Sequence, residues 1–519
     1  MLIDDQKFLA RNFWNDRTLR RALAWTAVFA AVGVALVMLY RDADQQDSGY
    51  HFLFARWAHR HPQYFIGVWA RPLFTLLYFP IAQLGYAAAK FFTVVISLAT
   101  AWQTFLLARQ IKFDRAEMAI PLLFLQPSFF LLSSTAMTET LFALVFVIAL
   151  RLHLSGRIKL GMVVASLLIL IRPEGFFVGL LWGVWVMTEG QGDGATGRRG
   201  DGAMRSWRDK ALDLSFLPVA LSPRRPVSIL LLSTGLLAWW LAAYLISGDP
   251  LWIVHDWPPD WRPDGKANGT GPIWWYVAMS PLIIGPLSLW PFIVGLWRLL
   301  KRREFLCGVS AFLFLFVAHS LMFWRGWFGS AGYARYFVCV SPAIALITLA
   351  GWNVLAIETK NFAPLRSGAA RNSLAGAALA GSLLISFIYV DSWTFTRDAR
   401  AVDEMFEWFR ANERPVARLI GSQAYMWAVF DRDQWERPSF TADREHNLEL
   451  IRQSPPRTLV FWDEETGPKW YGLRAEDFES AGYVVLKSQA FKLEGLFFRL
   501  PRKGFGGPRI QRMSLLYKQ

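Results

Sequence analysis

The densest chemistry in this sequence lies in one short stretch, Arg41-Asp42-Ala43-Asp44-Gln45-Gln46-Asp47-Ser48-Gly49-Tyr50-His51. Asp42, Asp44 and Asp47 follow directly on an apolar run, Leu23–Tyr40. Charge at the exit of such a run is costly unless it is solvated or used, so these acids are candidates for function. The blander alternative is a hydrated loop whose acids only balance Arg41. Asp47 and His51 are four residues apart and would share a helix face, which offers a divalent cation two ligands. A divalent cation is the one cofactor this spacing admits.

Three arginines stand where apolar runs begin or end: Arg71-Pro72, Arg172-Pro173-Glu174-Gly175 and Tyr333-Ala334-Arg335-Tyr336. Each has a structural reading. Arg335 can serve as an interfacial anchor, and Arg172 and Glu174 can neutralise one another in a tight turn. Glu139 follows Thr138 at the start of an apolar run, where an acid also suits a helix N-terminus. His319 lies in an otherwise apolar run and reads as a hydrogen-bonded interior residue, so it is left out of the candidate site.

The elements that must position these residues are membrane helices. The 519 residues are 54% hydrophobic and only 18% charged, a balance seldom seen in a soluble domain of this size. Apolar runs are expected to span near 23–40, 89–107, 118–134, 138–153, 159–171, 175–188, 227–247, 273–297, 305–324, 333–356 and 373–391, about eleven in all. Basic residues cluster in alternate loops, among them Arg109, Lys112 and Arg115, then Arg298, Lys301, Arg302 and Arg303. By the positive-inside rule the N-terminus is cytoplasmic, and Leu23–Tyr40 is an uncleaved anchor. The net charge of +15 is thereby a topology signal, and nucleic acid is not an expected partner. Phe65–Leu84 is apolar but carries Arg71, Pro72 and Pro80. Counting it as a span would put every later basic loop on the wrong side, so it is read as an interfacial helix pair in a first outer loop, 41–88.

Residues 189–226 are Gly-rich and basic and read as a cytoplasmic connector. The outer loop 248–272, with His255, Asp256 and several Trp, suits sugar stacking or a covering lid. Beyond Asp391 charges and turn residues become frequent, and apolar runs at 416–421, 458–462, 483–486 and 491–500 alternate with helical patterns. The chain thus divides into a helical membrane part, 1–391, and a small extracytoplasmic α/β domain, 392–519. Cys307 and Cys339 both lie in apolar runs, which argues against a disulfide framework or a thiolate metal site.

The order of these motifs resembles a family. Asp47-Ser-Gly-Tyr50-His-Phe-Leu-Phe-Ala55-Arg, Trp69-Ala-Arg71-Pro72, Pro127-Ser-Phe-Phe, Met137-Thr138-Glu139, Ile171-Arg172-Pro173-Glu174-Gly175 and Tyr333-Ala-Arg335-Tyr336 followed by Pro342 are similar to the GT-C glycosyltransferases. The likeness covers nearly the whole chain and points toward bacterial members akin to protein mannosyltransferases and the lipid A aminoarabinose transferase. It implies an inner-membrane enzyme that moves a sugar, with inversion, from a polyprenyl-phosphate-linked donor to an extracytoplasmic glycan, lipid or protein. It further implies Asp47 or Asp44 as general base, and Arg335, Arg172 and Arg71 as ligands of the donor phosphate. Asp42, Tyr50, His51, Glu139, Glu174 and Tyr336 are further site candidates. The family commonly places an acidic pair directly before the Tyr helix, whereas here Ser48 and Gly49 intervene. The choice between Asp44 and Asp47 therefore stays open. A transporter or flippase for a lipid-linked sugar is the alternative, since it too would need outer acids and arginines, and a non-catalytic assembly partner is a third reading.

Overall fold

The structure, a computed structural model, describes residues 16–40, 46–188, 229–261, 269–358, 368–393 and, with short gaps, 396–519. Asp42 and Asp44, the connector 189–226 and Asn268 lie outside the described residues.

The membrane part is built from α1 (Arg17–Leu39), α2 (Gln46–Trp57), α3 (Pro72–Ala82), α4 (Tyr86–Gln110), α5 (Ala119–Phe124), α6 (Pro127–Leu132), α7 (Thr138–Leu154), α8 (Ile158–Ser166), α9 (Glu174–Thr188), α10 (Thr234–Ser247), α11 (Trp275–Ile284), α12 (Leu289–Arg302), α13 (Leu306–Arg325), α14 (Ser341–Glu358) and α15 (Gly368–Trp393). Among the described residues five helical stretches are single, long and apolar enough to cross a membrane: Arg17–Leu39, Tyr86–Gln110, Leu230–Ser247, Leu306–Arg325 and Ala334–Ala356. A sixth candidate is bent: Trp275–Ile284 and Pro286–Arg302 are apolar enough together and meet at 98°. All eleven expected segments are helical, but several are interrupted. The 118–134 segment breaks before Pro127, which has no N–H to continue the ladder, and both halves are buried, so neighbours cover the broken backbone.

Phe65–Leu84 resolves into a single turn, Pro62–Phe65, and the eleven-residue α3. At about 1.5 Å per residue α3 is only about 16 Å long, roughly half the apolar thickness of a bilayer. It does not cross on its own.

After α15 come α16 (Thr396–Ala411), α17 (Ala424–Phe430), α18 (Arg444–Gln453), α19 (Thr466–Tyr471) and α20 (Ala475–Ser480), around a four-stranded sheet. The strands are β1 (Arg418–Gly421), β2 (Thr458–Asp463), β3 (Tyr483–Lys492) and β4 (Ile510–Lys518), in the order β1-β2-β4-β3. β1 runs parallel to β2, and β4 is antiparallel to both β2 and β3. Two points of the sequence reading change here. The runs at 483–486 and 491 belong to one strand, and the sheet's interior strand β4 was not foreseen. Gln511, Arg512 and Ser514 interrupt its apolar residues, yet it is paired on both edges, and Met513, Leu515 and Leu516 are buried. One face of the sheet has its own core, with Ile420, Val460, Trp462, Phe478 and Leu516. The other, with Leu459, Phe461, Leu515 and Tyr517, joins Met405, Phe406, Tyr425 and Met426 in a core continuous with the membrane part.

Candidate functional site

α2 carries Asp47 and is fastened at both ends. Ser48 hydrogen-bonds the Tyr86 hydroxyl at 2.9 Å and accepts from the Ala136 amide at 3.1 Å, which ties the start of α2 to α4 and to the turn before α7. At its far end Arg56 donates to the Gln83 carbonyl at 2.8 Å and forms a two-pronged pair with Asp431 at 2.9 and 2.7 Å. His61 and Asp433 meet at 2.8 Å, and Trp435 stacks on Phe54 with ring centres 5.1 Å apart. The loop after α17 therefore clamps the helix that bears the candidate base.

Asp47 meets Arg335 in a hydrogen-bonded ion pair. Arg335 is placed by the stretch Gly326–Tyr333, which folds tightly over the end of α13. Gly332 has φ +68°, and a Cβ there would stand 2.7 Å from Phe323 and 2.8 Å from the Trp275 indole nitrogen, so this position requires glycine. The Arg335 guanidinium also lies 4.7 Å from the Tyr333 ring centre and 3.7 Å from Glu139.

Behind this pair lies a tighter knot. The Nε and Nη2 of Arg172 donate to the two carboxylate oxygens of Glu174 at 3.2 and 2.8 Å. Its Nη1 sits 2.8 Å from Glu139 and donates to Thr138 at 3.1 Å. The pairing of Arg172 with Glu174 foreseen from the sequence is present, and Glu139 makes it a triad. The Glu139 side chain is fully shielded, at 0% exposure, whereas 39% of the Asp47 side chain is open. Of these two acids only Asp47 can meet a molecule arriving from outside.

Arg71 differs from both other arginines. It is 7% exposed, its Nη1 donates to the Val68 carbonyl at 3.2 Å, its Nε has no hydrogen-bond partner, and among the described residues it forms no ion pair. Its guanidinium sits 4.7 Å from the ring centre of Trp261, in the loop after α10. That loop is anchored to the first outer loop by Asp256, which accepts from the Val68 amide at 2.7 Å, and by Trp239, whose indole donates to the Ile66 carbonyl at 2.8 Å. Arg71 precedes Pro72 with φ 63°, a conformation a non-glycine residue adopts only when its surroundings impose it.

The cluster is electrostatically coupled. Burial alone would push the Asp47 carboxyl up, but Arg335, with help from Arg172, holds it below the usual carboxylate range. Burial and the neighbouring Arg71 push His51 down to about 3, so at neutral pH it is uncharged. Burial and Arg172 bring Arg71 down to about 10, which still leaves it cationic. His51 Nδ1 has no hydrogen-bond partner. As for a cation, among the described residues no group of three His, Cys, Asp or Glu could hold a metal. The Asp47 carboxylate is already neutralised by Arg335, which opposes metal binding at Asp47 and His51.

Asp47, His51, Arg71, Glu139, Arg172, Glu174, Arg335 and Tyr336 thus converge on one place. Tyr50 lies beside it, 5.0 Å from Trp69 between ring centres. Sequence reasoning missed Thr138, Tyr333 and Trp261 as contacts, and set His319 aside although its ring stacks on Tyr336 at 4.9 Å. Only their positions near the ends of apolar runs hinted at them.

The multi-pass helical scaffold with its broken helix and terminal sheet is a fold already seen in a solved structure. A solved structure with this fold is that of ArnT from Cupriavidus metallidurans in the apo state, at a TM-score of 0.58 and 14% identity over 95% of this chain and 98% of that chain. No protein-family model matches the sequence, and no curated protein is similar to it.

Proposed function

We propose that this protein is an integral-membrane glycosyltransferase that moves a sugar from a polyprenyl-phosphate-linked donor to an extracytoplasmic acceptor. The observation that carries the reading is the partly open Asp47 carboxylate, set against Arg335 and near Arg71, which forms no ion pair among the described residues. The ArnT-like fold and the likeness of the motifs to the aminoarabinose and mannosyl transferases support it.

In this reading the acceptor hydroxyl attacks the anomeric carbon, a C–O bond forms there, and the bond from that carbon to the phosphate oxygen breaks with inversion. The hydroxyl proton passes to Asp47. The departing lipid phosphate gains negative charge, which Arg71 and Arg335 stabilise by charge-assisted hydrogen bonds. Arg335 would have to exchange Asp47 for phosphate, and the freed carboxylate would then become more basic, because the interaction that holds its pKa down is lost. Donor binding thereby prepares the base. Arg172 has its fork filled by Glu174 and acts as support for the site.

The test is transfer of labelled sugar from undecaprenyl-phosphate-linked donors to membrane acceptors by the purified protein in vesicles. Turnover by the parent and its loss in Asp47→Asn support the enzyme. Movement of the intact donor across the bilayer, with no transfer to any acceptor, would instead identify a transporter.

A further inference from the structure

Against Tyr336 lies a second polar group that the ion-pair network does not use. His319 of α13 is 2% exposed, and neither of its ring nitrogens has a hydrogen-bond partner. The Tyr276 hydroxyl of α11 is buried and also lacks one, as does the Ser330 hydroxyl; the two adjoin without a bond of good geometry. Tyr276 and His319 have ring centres 6.1 Å apart, and His319 lies nearly parallel to Tyr336, at 4.9 Å and 18°. Tyr336 in turn is 5.7 Å from the Arg172 guanidinium.

Buried donors and acceptors are almost always satisfied in a working protein, since leaving one unpaired costs as much as a lost hydrogen bond or more. Four such atoms from three segments, gathered beside the charged cluster, call for a neutral partner rich in both donors and acceptors. Their chemistry is that of hydroxyl recognition. An imidazole and two hydroxyls can each donate or accept, none brings a fixed charge, and aromatic faces border them. The lipid phosphate does not suit them, because the guanidinium beside them, that of Arg172, already has its fork filled by Glu174.

We propose that Tyr276, His319 and Ser330 form the sugar-binding subsite for the donor and set which sugar is accepted. This rests on the glycosyltransferase reading and adds to it the residues that read the sugar's hydroxyl or amino groups. A buried site built to hydrogen-bond a particular hydroxyl rejects analogues lacking it, because its own polar atoms are then left unpaired.

The experiment separates sugar from lipid. Full-length protein in nanodiscs is titrated with undecaprenyl phosphate alone and with undecaprenyl phosphates carrying mannose, glucose, galactose or 4-amino-arabinose. The parent is expected to bind at least one sugar-bearing lipid more tightly than the bare lipid. His319→Phe, and the near-isosteric Tyr276→Phe as a milder second variant, should lower that gain by roughly 3- to 10-fold per lost hydrogen bond while leaving the bare lipid bound as before. His319→Gln should restore part of it. A sugar gain that survives in both Phe variants would overturn the subsite, as would equal weakening of both lipids, which would assign His319 to packing. Binding of bare lipid with no sugar gain in the parent would also overturn it while sparing the phosphate site. Failure of the parent to bind either kind of lipid would strike the glycosyltransferase reading itself.

Discussion

Arg172 and Arg71 are both buried arginines in one cluster, and they are used in opposite ways. Arg172 has its guanidinium filled by Glu174, Glu139 and Thr138. Arg71 meets one carbonyl and one indole face and keeps an unpartnered Nε. Arg335, held by the half-open Asp47, stands between them. A saturated charge network holds a shape, whereas an unsaturated one is left for something absent. On this comparison, variants on the saturated side should lose folded protein, and variants on the open side should lose function at unchanged stability.

The largest effect is expected at the saturated side. Arg172→Ala leaves fully shielded Glu139 without its main partner, and breaking a buried pair from one side costs about 3–5 kcal/mol. Thermal unfolding in detergent should show a large drop in midpoint, together with loss of activity. A stable but inactive Arg172→Ala would mean that Arg172 belongs with the open group. Next comes Asp47→Asn, which keeps the shape but cannot take a proton, so turnover should fall by roughly a hundred- to ten-thousand-fold with the unfolding midpoint nearly unchanged. Asp44→Asn should do less. Should Asp44→Asn be the more damaging, the two acids exchange roles; should neither slow transfer, the catalytic reading of this loop fails.

Smaller losses are expected at the arginines. Arg71→Ala and Arg335→Ala should each weaken donor binding by roughly 10- to 100-fold, the value of a charge-assisted hydrogen bond, and Arg335→Lys should lose less. If both Arg335 variants bind donor like the parent, Arg335 is only an interfacial anchor. The smallest effect is on pH. Arg335 depresses the Asp47 pKa, so the interaction stabilises the fold above the ordinary carboxylate pKa and is lost as pH falls through the lowered value. In Arg335→Ala burial would be opposed only by the weaker pull of Arg172, and the acid limb of any pH–rate profile should move to higher pH. His51, pushed down to about 3, binds fewer protons folded than unfolded, so its contribution to stability should fade as pH drops below about 6.5. An NMR titration showing His51 protonated at neutral pH would contradict this.

Much of the site was legible in the sequence because its residues sit where apolar runs end. Arg71, Glu139, Arg172 and Arg335 each interrupt or open such a run, and that expense marks them before any contact is known. What the sequence could not supply was the pairing, since Asp47 and Arg335 are 288 residues apart and nothing local joins them. The same holds for the fold. The apolar segments are all helical, but the 98° bend between α11 and α12 depends on packing around Gly285, whose φ of +100° no other residue would readily take. Strand β4 stayed hidden because its polar residues face partners that only the folded sheet provides, as Gln511 does in donating to buried Asp463 at 2.6 Å. His319 was dismissed for a sound reason, that a lone histidine in a helix is usually satisfied; here both nitrogens lack partners.

The most direct measurement is a density map of the protein with undecaprenyl phosphate bound. The account predicts the phosphate between Arg71 and Arg335, the Asp47–Arg335 pair opened, and the Arg172–Glu174–Glu139 knot unchanged. A phosphate bound elsewhere with the Asp47–Arg335 pair intact, or one held by Arg172 after release of Glu174, would contradict it.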